Sequence, residues 1–437
     1  MQVDKITLQD IGLFDNDGQI GLASHLNFCK SNGGQLYLNQ YLQNPLSEQA
    51  KIEERQEALK LILLQLEQME LMKTSNGTCL IIEKFFETSF KTIPTQISLP
   101  GAYWYQFWEK ADYSLIKYSV EHLVLLIQDL HQWTLMFEKE KKNPVMEGLV
   151  KNIVALLQNE ELGQLKQKQK ITSPQEILQL GHFFLYRYKH NTKALLEYFY
   201  EIDALYSLAK AHQQYQFQFP HWINDTKPYL EVENAKHPLV NNAIGNNLTL
   251  SPEKNFLFLT GANMAGKSTF IKTIGIVVFL SHIGMGAPAK KIKLTVMDGL
   301  ITNLNIADNV VKGESYFYNE VQRIKNTVLK INDGKKNCVL IDELFKGTNI
   351  LDAMKCSTKV IEGLQKLTTS IYILSTHLYE ISENLHQHKN IQFSFFETQV
   401  KDKELHFQYQ LSPGISQDRI GYLILEREGV VQLLDAL

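Results

Sequence analysis

The stretch FLFLTGANMAGKST, Phe256 to Thr269, limits what this chain can fold into more than any other. An apolar run of strand length enters a loop of small residues that fits GxxxxGK[ST] at each fixed position, and an apolar helical run follows at once. Strand, glycine-rich turn and helix in that order form a cradle for phosphate. Gly261, Ala262, Ala265 and Gly266 carry little side chain, so backbone N–H groups can turn inward, and the positive end of the following helix adds to their pull on an anion. Lys267 is expected to reach the β- and γ-phosphates, and Ser268 to ligate Mg²⁺.

A phosphate cradle that hydrolyses needs a metal anchor and a group that acts on water. NCVLIDE supplies both in sequence: four apolar residues predict a buried strand, Asp342 at its end suits the Mg²⁺ shell, and Glu343 suits the polarisation of an attacking water. Taken alone, an apolar run ending in Asp-Glu is more often a strand meeting solvent; the loop upstream favours the chemical reading. A third strand, YILSTH, ends in His377, whose imidazole is placed to sense a γ-phosphate, although a strand-end histidine by itself is more often structural.

These strands belong to the second of two halves. From residue 228 onward, short β-rich apolar runs alternate with helical segments, which predicts a mostly parallel sheet with flanking helices. Residues 1–227 read instead as an all-α domain. Ile116, Val120, Leu123, Ile127 and Leu130 recur at helical spacing, as do Leu195, Phe199, Ile202, Tyr206 and Ala209, and both stripes predict core-facing sides of long helices. Breaks are expected at SNGG, KKNPV and TSPQE. Past the phosphate loop, Phe317, Val321, Ile324 and Val328 predict another apolar helical stripe, with Ser315 at its start.

Composition excludes some classes and leaves others open. With 437 residues, 44% apolar and 21% charged, the chain has the texture of a globular protein large enough for two cores. A net charge of -3 gives no global attraction to nucleic acid, so DNA contact would need a local patch. The short basic runs FEKEKKN, LKQKQK and AKKIKLT fit a solvated face about as well as a phosphate-binding one. Cys29, Cys79, Cys338 and Cys356 show no CxxC spacing, and His386 with His388 lacks a third ligand nearby, so neither a disulfide framework nor a zinc site is expected. Without an apolar leader or spanning run, a cytoplasmic chain with no membrane contact is expected.

At this point the chain resembles a known family. TGANMAGKST, VLIDELFKGTN and STH, in this order, resemble the ATPase domain of the MutS family, whose phosphate loop carries Asn-Met where Asn263 and Met264 stand. HPLV from His237, IADNVVKGESYFYNEV from Ile306 to Val321, and LSPGISQDRIGYLIL near the end agree with it. SNGGQLYLNQYLQNPLSEQAKIEERQEAL is similar to the start of the family's core or lever domain, with Gly34, Leu42, Pro45, Leu46, Ile52 and Arg55 at matching places.

The resemblance implies a P-loop ATPase domain of ABC type over residues 228–437, preceded by an all-α lever or core domain over 1–227. It implies that Gly261, Ala262, Asn263, Met264, Ala265, Gly266, Lys267, Ser268 and Thr269 bind ATP. Asp342 and Ser268 would hold Mg²⁺, Glu343 would be the general base and His377 a switch histidine. Ser315 would act in trans across a dimer interface, and Gly313, Gly347, Thr348 and Asn349 would belong to the interface loops. It further implies an ATP-dependent homodimer acting on mismatched or branched DNA in repair or recombination. A nucleotide-gated adaptor for a protein or ribonucleoprotein partner is the alternative.

Departures from the family pattern shape the expectation. Only a short stretch precedes the lever segment, so mismatch-reading and connector domains are expected to be missing. The stretch from Arg55 to His237 is short for a DNA clamp, and the end at Leu437 leaves little room for a C-terminal dimerisation element. The Phe-x-Glu triplets at Phe85 and in SFFETQ read as ordinary helix or strand. Glu314 replaces a basic residue often found before the signature serine, and Ala243 stands near the place of an adenine-stacking aromatic.

Overall fold

The computed structural model describes residues 1–16, 18–90, 93, 97–140, 142–166, 171–304, 316–401, 404–416, 425–426 and 429–435. Strand β1 (Gln2–Val3) and helix α1 (Lys5–Asp10) open the chain. The longer helices that follow are α2 (Asn32–Gln43), α3 (Gln49–Leu64), α4 (Asn76–Glu87), α5 (Leu99–Trp108), α6 (Lys110–Phe137), α7 (Pro144–Leu157), α8 (Pro174–His182) and α9 (Lys189–Gln214). Then come β2 (His221–Trp222), β3 (Leu230–Ala235), β4 (Asn246–Leu250), β5 (Phe256–Gly261) and α10 (Lys267–Ile283). Beyond them lie β6 (Lys291–Leu294), β7 (Gly299–Asn303), α11 (Tyr316–Ile331), β8 (Asn337–Asp342), α12 (Ile350–Leu364), β9 (Ile371–Ser375), β10 (Ile391–Lys401) and β11 (Glu404–Pro413).

The chain divides into two compact units that do not follow a single cut at 227. One comprises Leu26–Gln43 and Glu54–Gln213; the other comprises Met1–His25, Asn44–Glu53 and Gln214–Leu437. The N-terminal residues expected in the all-α domain therefore lie in the α/β unit. There β1 adds to the sheet edge beside β7, in parallel, with Gln2 opposite Gly299. The Asp10 carboxylate accepts from the Thr302 hydroxyl at 2.7 Å and from the Leu304 N–H at 3.0 Å. The second segment is held where the Leu46 N–H donates to the His282 carbonyl at 2.8 Å. The His282 ring, fully buried, bonds the Leu46 carbonyl through Nδ1 at 2.9 Å and accepts from the Met297 N–H through Nε2 at 3.2 Å.

The unit with Leu26–Gln43 and Glu54–Gln213 is helical throughout its described elements. Helix α6 is its centre, packed by α4, α5, α7 and α8, and its stripe from Ile116 to Leu130 is buried as the spacing requires. The expected breaks are helix starts. Asn143 accepts from the Met146 N–H and caps α7, with Pro144 in the first turn, and Ser173 precedes Pro174 of α8. At SNGG, Asp203 of α9 accepts from the N–H groups of Lys30 and Ser31 at 2.8 and 2.9 Å. A Cβ on Gly34 would lie 2.1 Å from that carboxylate, so only glycine fits there.

In the α/β unit a seven-stranded sheet runs β1-β7-β8-β9-β5-β10-β11, parallel except for the final β10–β11 hairpin. Strands β5, β8 and β9 are buried at every residue, which is why their sequences are near-continuous apolar runs rather than alternating ones. Helix α10 lies on one face. It approaches the sheet through Gly275, where a Cβ would stand 3.0 Å from Leu340 Cδ1 and 3.2 Å from Ile11 Cγ2. On the other face α11 and α12 cover Phe256, Phe258, Val339, Ile341, Tyr372 and Leu374. A second, four-stranded sheet has the order β2-β6-β3-β4.

Helix α11 turns a different side inward from the one its apolar stripe predicts. Val321 and Val328 are exposed, while Glu320, Ile324, Thr327 and Ile331 are buried. The polar pair goes inside because it is hydrogen-bonded there: Thr327 Oγ1 accepts from Asn303 Nδ2 at 2.9 Å, and Glu320 accepts from backbone N–H groups. Among the described residues no helix is long and apolar enough to cross a membrane.

Candidate active site

Three strand ends build the site. β5, β9 and β8 lie side by side, so the loop after β5, His377 after β9 and the Asp-Glu pair at the end of β8 share one edge of a parallel sheet. That edge, outside the carboxyl ends of parallel strands, is where open α/β sheets bind ligands.

The phosphate loop needs its glycines. Gly261 takes φ +138 and Gly266 φ +102, and a Cβ on Gly261 would stand 3.1 Å from the Phe396 carbonyl oxygen. Met264, at the loop tip, also has positive φ, +68, and its side chain is exposed. Lys267 opens α10 and is buried; its ammonium donates to the carbonyls of Gly261 and Ala262 at 2.7 and 3.0 Å. Burial lowers the pKa of this amine, against the opposing attraction of Glu343 and Asp342.

Ser268, in the first turn of α10, donates to Asp342 Oδ2 at 2.5 Å, and Ser375 of β9 donates to the other oxygen of the same carboxylate. Two hard oxygen donors thus meet beside the loop, a donor set that fits Mg²⁺ completed by phosphate oxygens and water. Among the described residues no group of three or more His, Cys, Asp and Glu forms an all-protein metal cage.

Glu343 follows in the left-handed region, φ +59, with its N–H donating to the Ser375 carbonyl at 3.0 Å. Its carboxylate stands 3.6 Å from His377 Nδ1 and 3.1 Å from Lys346 Nζ. His377 and Lys346 together hold this carboxyl down at about 2, overcoming a burial that would raise it. Glu343 is therefore ionised at neutral pH and poor at keeping a proton while Lys346 is paired with it.

Above the loop is a cavity of about 710 Å³, the size of small-molecule sites. Lys267, Ser268 and Glu343 line it, as does Ala243, at the place where an aromatic was expected. The aromatic wall comes from elsewhere. Phe407 and Tyr409 of β11 line the cavity, their ring centres 6.0 Å apart, and Tyr409 Cδ1 would lie 3.2 Å from a Cβ on Gly266. Tyr409 has φ +53, and Asn246 of β4 pins the strand just after it. Its Nδ2 donates to the Tyr409 carbonyl at 3.1 Å and its Oδ1 accepts from the Leu411 N–H at 2.7 Å. Sequence reasoning missed this pair; the alternation in HFQYQ, which puts both rings on one strand face, was the available signal.

The remaining expected residues divide. Asn349 is the N-cap of α12, accepting from the Asp352 N–H at 2.9 Å, and the Gly347 N–H donates to Glu320 at 3.2 Å. Thr348 lies between them, half-buried. Gly313, Glu314 and Ser315 fall outside the described residues, and α11 begins at Tyr316.

Residues 257–432 match the family described as MutS domain V. The DNA mismatch repair protein MutS of Carboxydothermus hydrogenoformans is 30% identical over 236 residues, 52% of this chain and 28% of that protein. Its namesake in Petrotoga mobilis is 28% identical over 233 residues, 52% of this chain and 28% of the relative. That of Bacillus cereus (strain G9842) is 31% identical over 232 residues, 51% of this chain and 25% of the relative. The matched part thus spans little more than a quarter of the relatives' length. Sequence match, parallel sheet and phosphate loop agree over one part of the chain: residues 257–432 match the MutS family through its domain V.

Proposed function

We propose that this chain is a Mg²⁺-dependent ATPase that couples nucleotide turnover in a dimer to the handling of mismatched or otherwise irregular DNA. One observation carries the enzymatic part: Lys267, Ser268 and Glu343 line a single nucleotide-sized cavity, with Asp342 bonded directly behind Ser268. In this reading Gly261 to Thr269 wrap the phosphates, Lys267 leaves its carbonyl partners for the β- and γ-phosphates, and the Phe407–Tyr409 wall takes the base. Bound Mg²⁺, held by Ser268 and Asp342, would neutralise developing phosphate charge. The Glu343 carboxylate, once released from Lys346, orients the attacking water, and His377 reports the γ-phosphate to it.

Dimerisation is supported by apolar side chains near the site. Met264 at the loop tip, and Ile350 and Leu351 at the start of α12, are exposed to 68%, 65% and 78%. Such residues suit an interface formed when nucleotide is present. Ser315, by its likeness to the family's signature serine, would reach the γ-phosphate of the partner subunit, with Gly313, Gly347, Thr348 and Asn349 in the interface loops. The helical unit would act as the lever. DNA as the effector rests on the similarity to proteins that are each a DNA mismatch repair protein.

The test is ATP hydrolysis by the purified chain with and without Mg²⁺, and with homoduplex, mismatched, branched and single-stranded DNA. Mg²⁺-dependent turnover altered by an irregular DNA is expected. Turnover indifferent to every DNA, with no salt-dependent binding, would remove DNA from the account and leave the adaptor role.

A further inference from the structure

Helix α11 holds the loop that carries Glu343, and it does so with a buried carboxylate. Glu320 is 2% exposed, and its two oxygens accept from the N–H groups of Lys346 and Gly347 at 3.0 and 3.2 Å. Burying an ionised carboxylate is expensive unless its oxygens are hydrogen-bonded, and a pair of adjacent backbone N–H groups meets that need. One turn earlier on the same face, the Phe317 ring lies 5.8 Å from that of Phe345.

The loop requires such a grip. Glu343 and Phe345 have φ +59 and +60, and neither is glycine. A residue so placed is strained, and the conformation persists only where its surroundings impose it. The restraint at the upstream end is the bond from the Glu343 N–H to the Ser375 carbonyl. At the downstream end it is Glu320, with Phe345 packed to 5% exposure against Phe317.

We propose that Glu320 is a positioning residue for the hydrolytic step: by fixing the backbone at Lys346 and Gly347 it fixes where the Glu343 carboxylate stands in the cavity. The inference rests on the role given above to Glu343. It also makes α11 a mechanical link, because any shift of that helix moves the loop through both Glu320 and Phe317.

The experiment compares the full chain with Glu320→Ala, Glu320→Gln, Glu343→Gln and the Glu320→Ala/Glu343→Gln double variant. Single-turnover hydrolysis and the affinity of a fluorescent ATP analogue are measured for each. Glu320→Ala is expected to slow hydrolysis by roughly tenfold to a hundredfold, the range for a misplaced reacting group, with nucleotide affinity within about threefold. Glu320→Gln keeps one acceptor oxygen and should fall between, and the double variant should be no slower than Glu343→Gln alone. If Glu320→Ala does not fold, the Gln variant carries the test on the same split of rate against affinity. Unchanged hydrolysis in the Glu320 variants, with Glu343→Gln inactive, overturns the positioning role alone. Unchanged hydrolysis in Glu343→Gln overturns the reading on which it rests.

Discussion

The Ser268 hydroxyl donates to Asp342 Oδ2 at 2.5 Å, joining the first turn of α10 to the end of β8. With Ser375 donating to the other oxygen, one carboxylate gathers the phosphate loop, β8 and β9. Removing it affects both metal and fold. Asp342→Ala is expected to raise the Mg²⁺ concentration for half-maximal ATPase by roughly tenfold or more, as loss of metal-site groups does. The buried Ser375 hydroxyl loses its acceptor, which costs about 1–3 kcal/mol, seen as a lower melting temperature. A Mg²⁺ titration and a thermal melt check both.

The Glu343 carboxyl, held at about 2 by His377 and Lys346, gives stability a defined pH dependence. Its pKa in the fold lies below the ordinary 4.5, so its contribution is fully present above pH 4.5 and is lost as pH falls toward 2. Lys346→Met removes the cation 3.1 Å away and should move this pKa upward. Acid unfolding of the variant should then show a shallower loss of stability between pH 4.5 and 2 than the parent, the interval set by the same two values. His377 and Lys267 also face Glu343, so the shift should be partial. A parallel pair of pH profiles would contradict the pairing.

Tyr409 is expected to act on affinity rather than on the chemical step. Tyr409→Ala should weaken ATP binding by roughly tenfold, within the 1–3 kcal/mol typical of base stacking on an aromatic ring, with turnover at saturation within about twofold. Tyr409→Trp should restore binding. Equilibrium titration with a fluorescent ATP analogue measures this directly, and unaltered affinity in the alanine variant would exclude a base at that wall.

Much of this site was legible in the chain and some was not, for physical reasons. Parallel strands covered on both faces must be apolar throughout, so FLFLT, CVLI and YIL announced themselves, and the residue after each run had to lie at the ligand edge. The edge strand β1 has two residues, too few for any pattern, and its pairing with β7 is set across nearly 300 positions, so residues 1–25 read as part of the wrong unit. Glu320 and Thr327 broke the stripe reading of α11 because hydrogen bonding, not hydrophobicity, takes them inside. Lys346 beside Glu343 is a contact made by a backbone turn at φ +60, which composition does not reveal.

Two inactive variants should complement each other if Ser315 acts across a dimer. Ser315→Ala and Lys267→Ala subunits, each inactive alone, can form on mixing one site with both groups intact. Recovered hydrolysis that rises with protein concentration is expected. If Ser315 only starts α11, its alanine variant should lose about 1 kcal/mol of stability with normal turnover per folded molecule.

Single-turnover hydrolysis by Glu343→Gln tests the central claim most directly. The variant keeps the shape of the loop and every phosphate contact but replaces the carboxylate that faces the cavity. ATP binding should stay within about threefold of the parent while hydrolysis slows by roughly 10²-fold or more, the scale for losing a general base, so that the ATP-bound form accumulates. Hydrolysis at the parental rate with ATP bound would contradict the account.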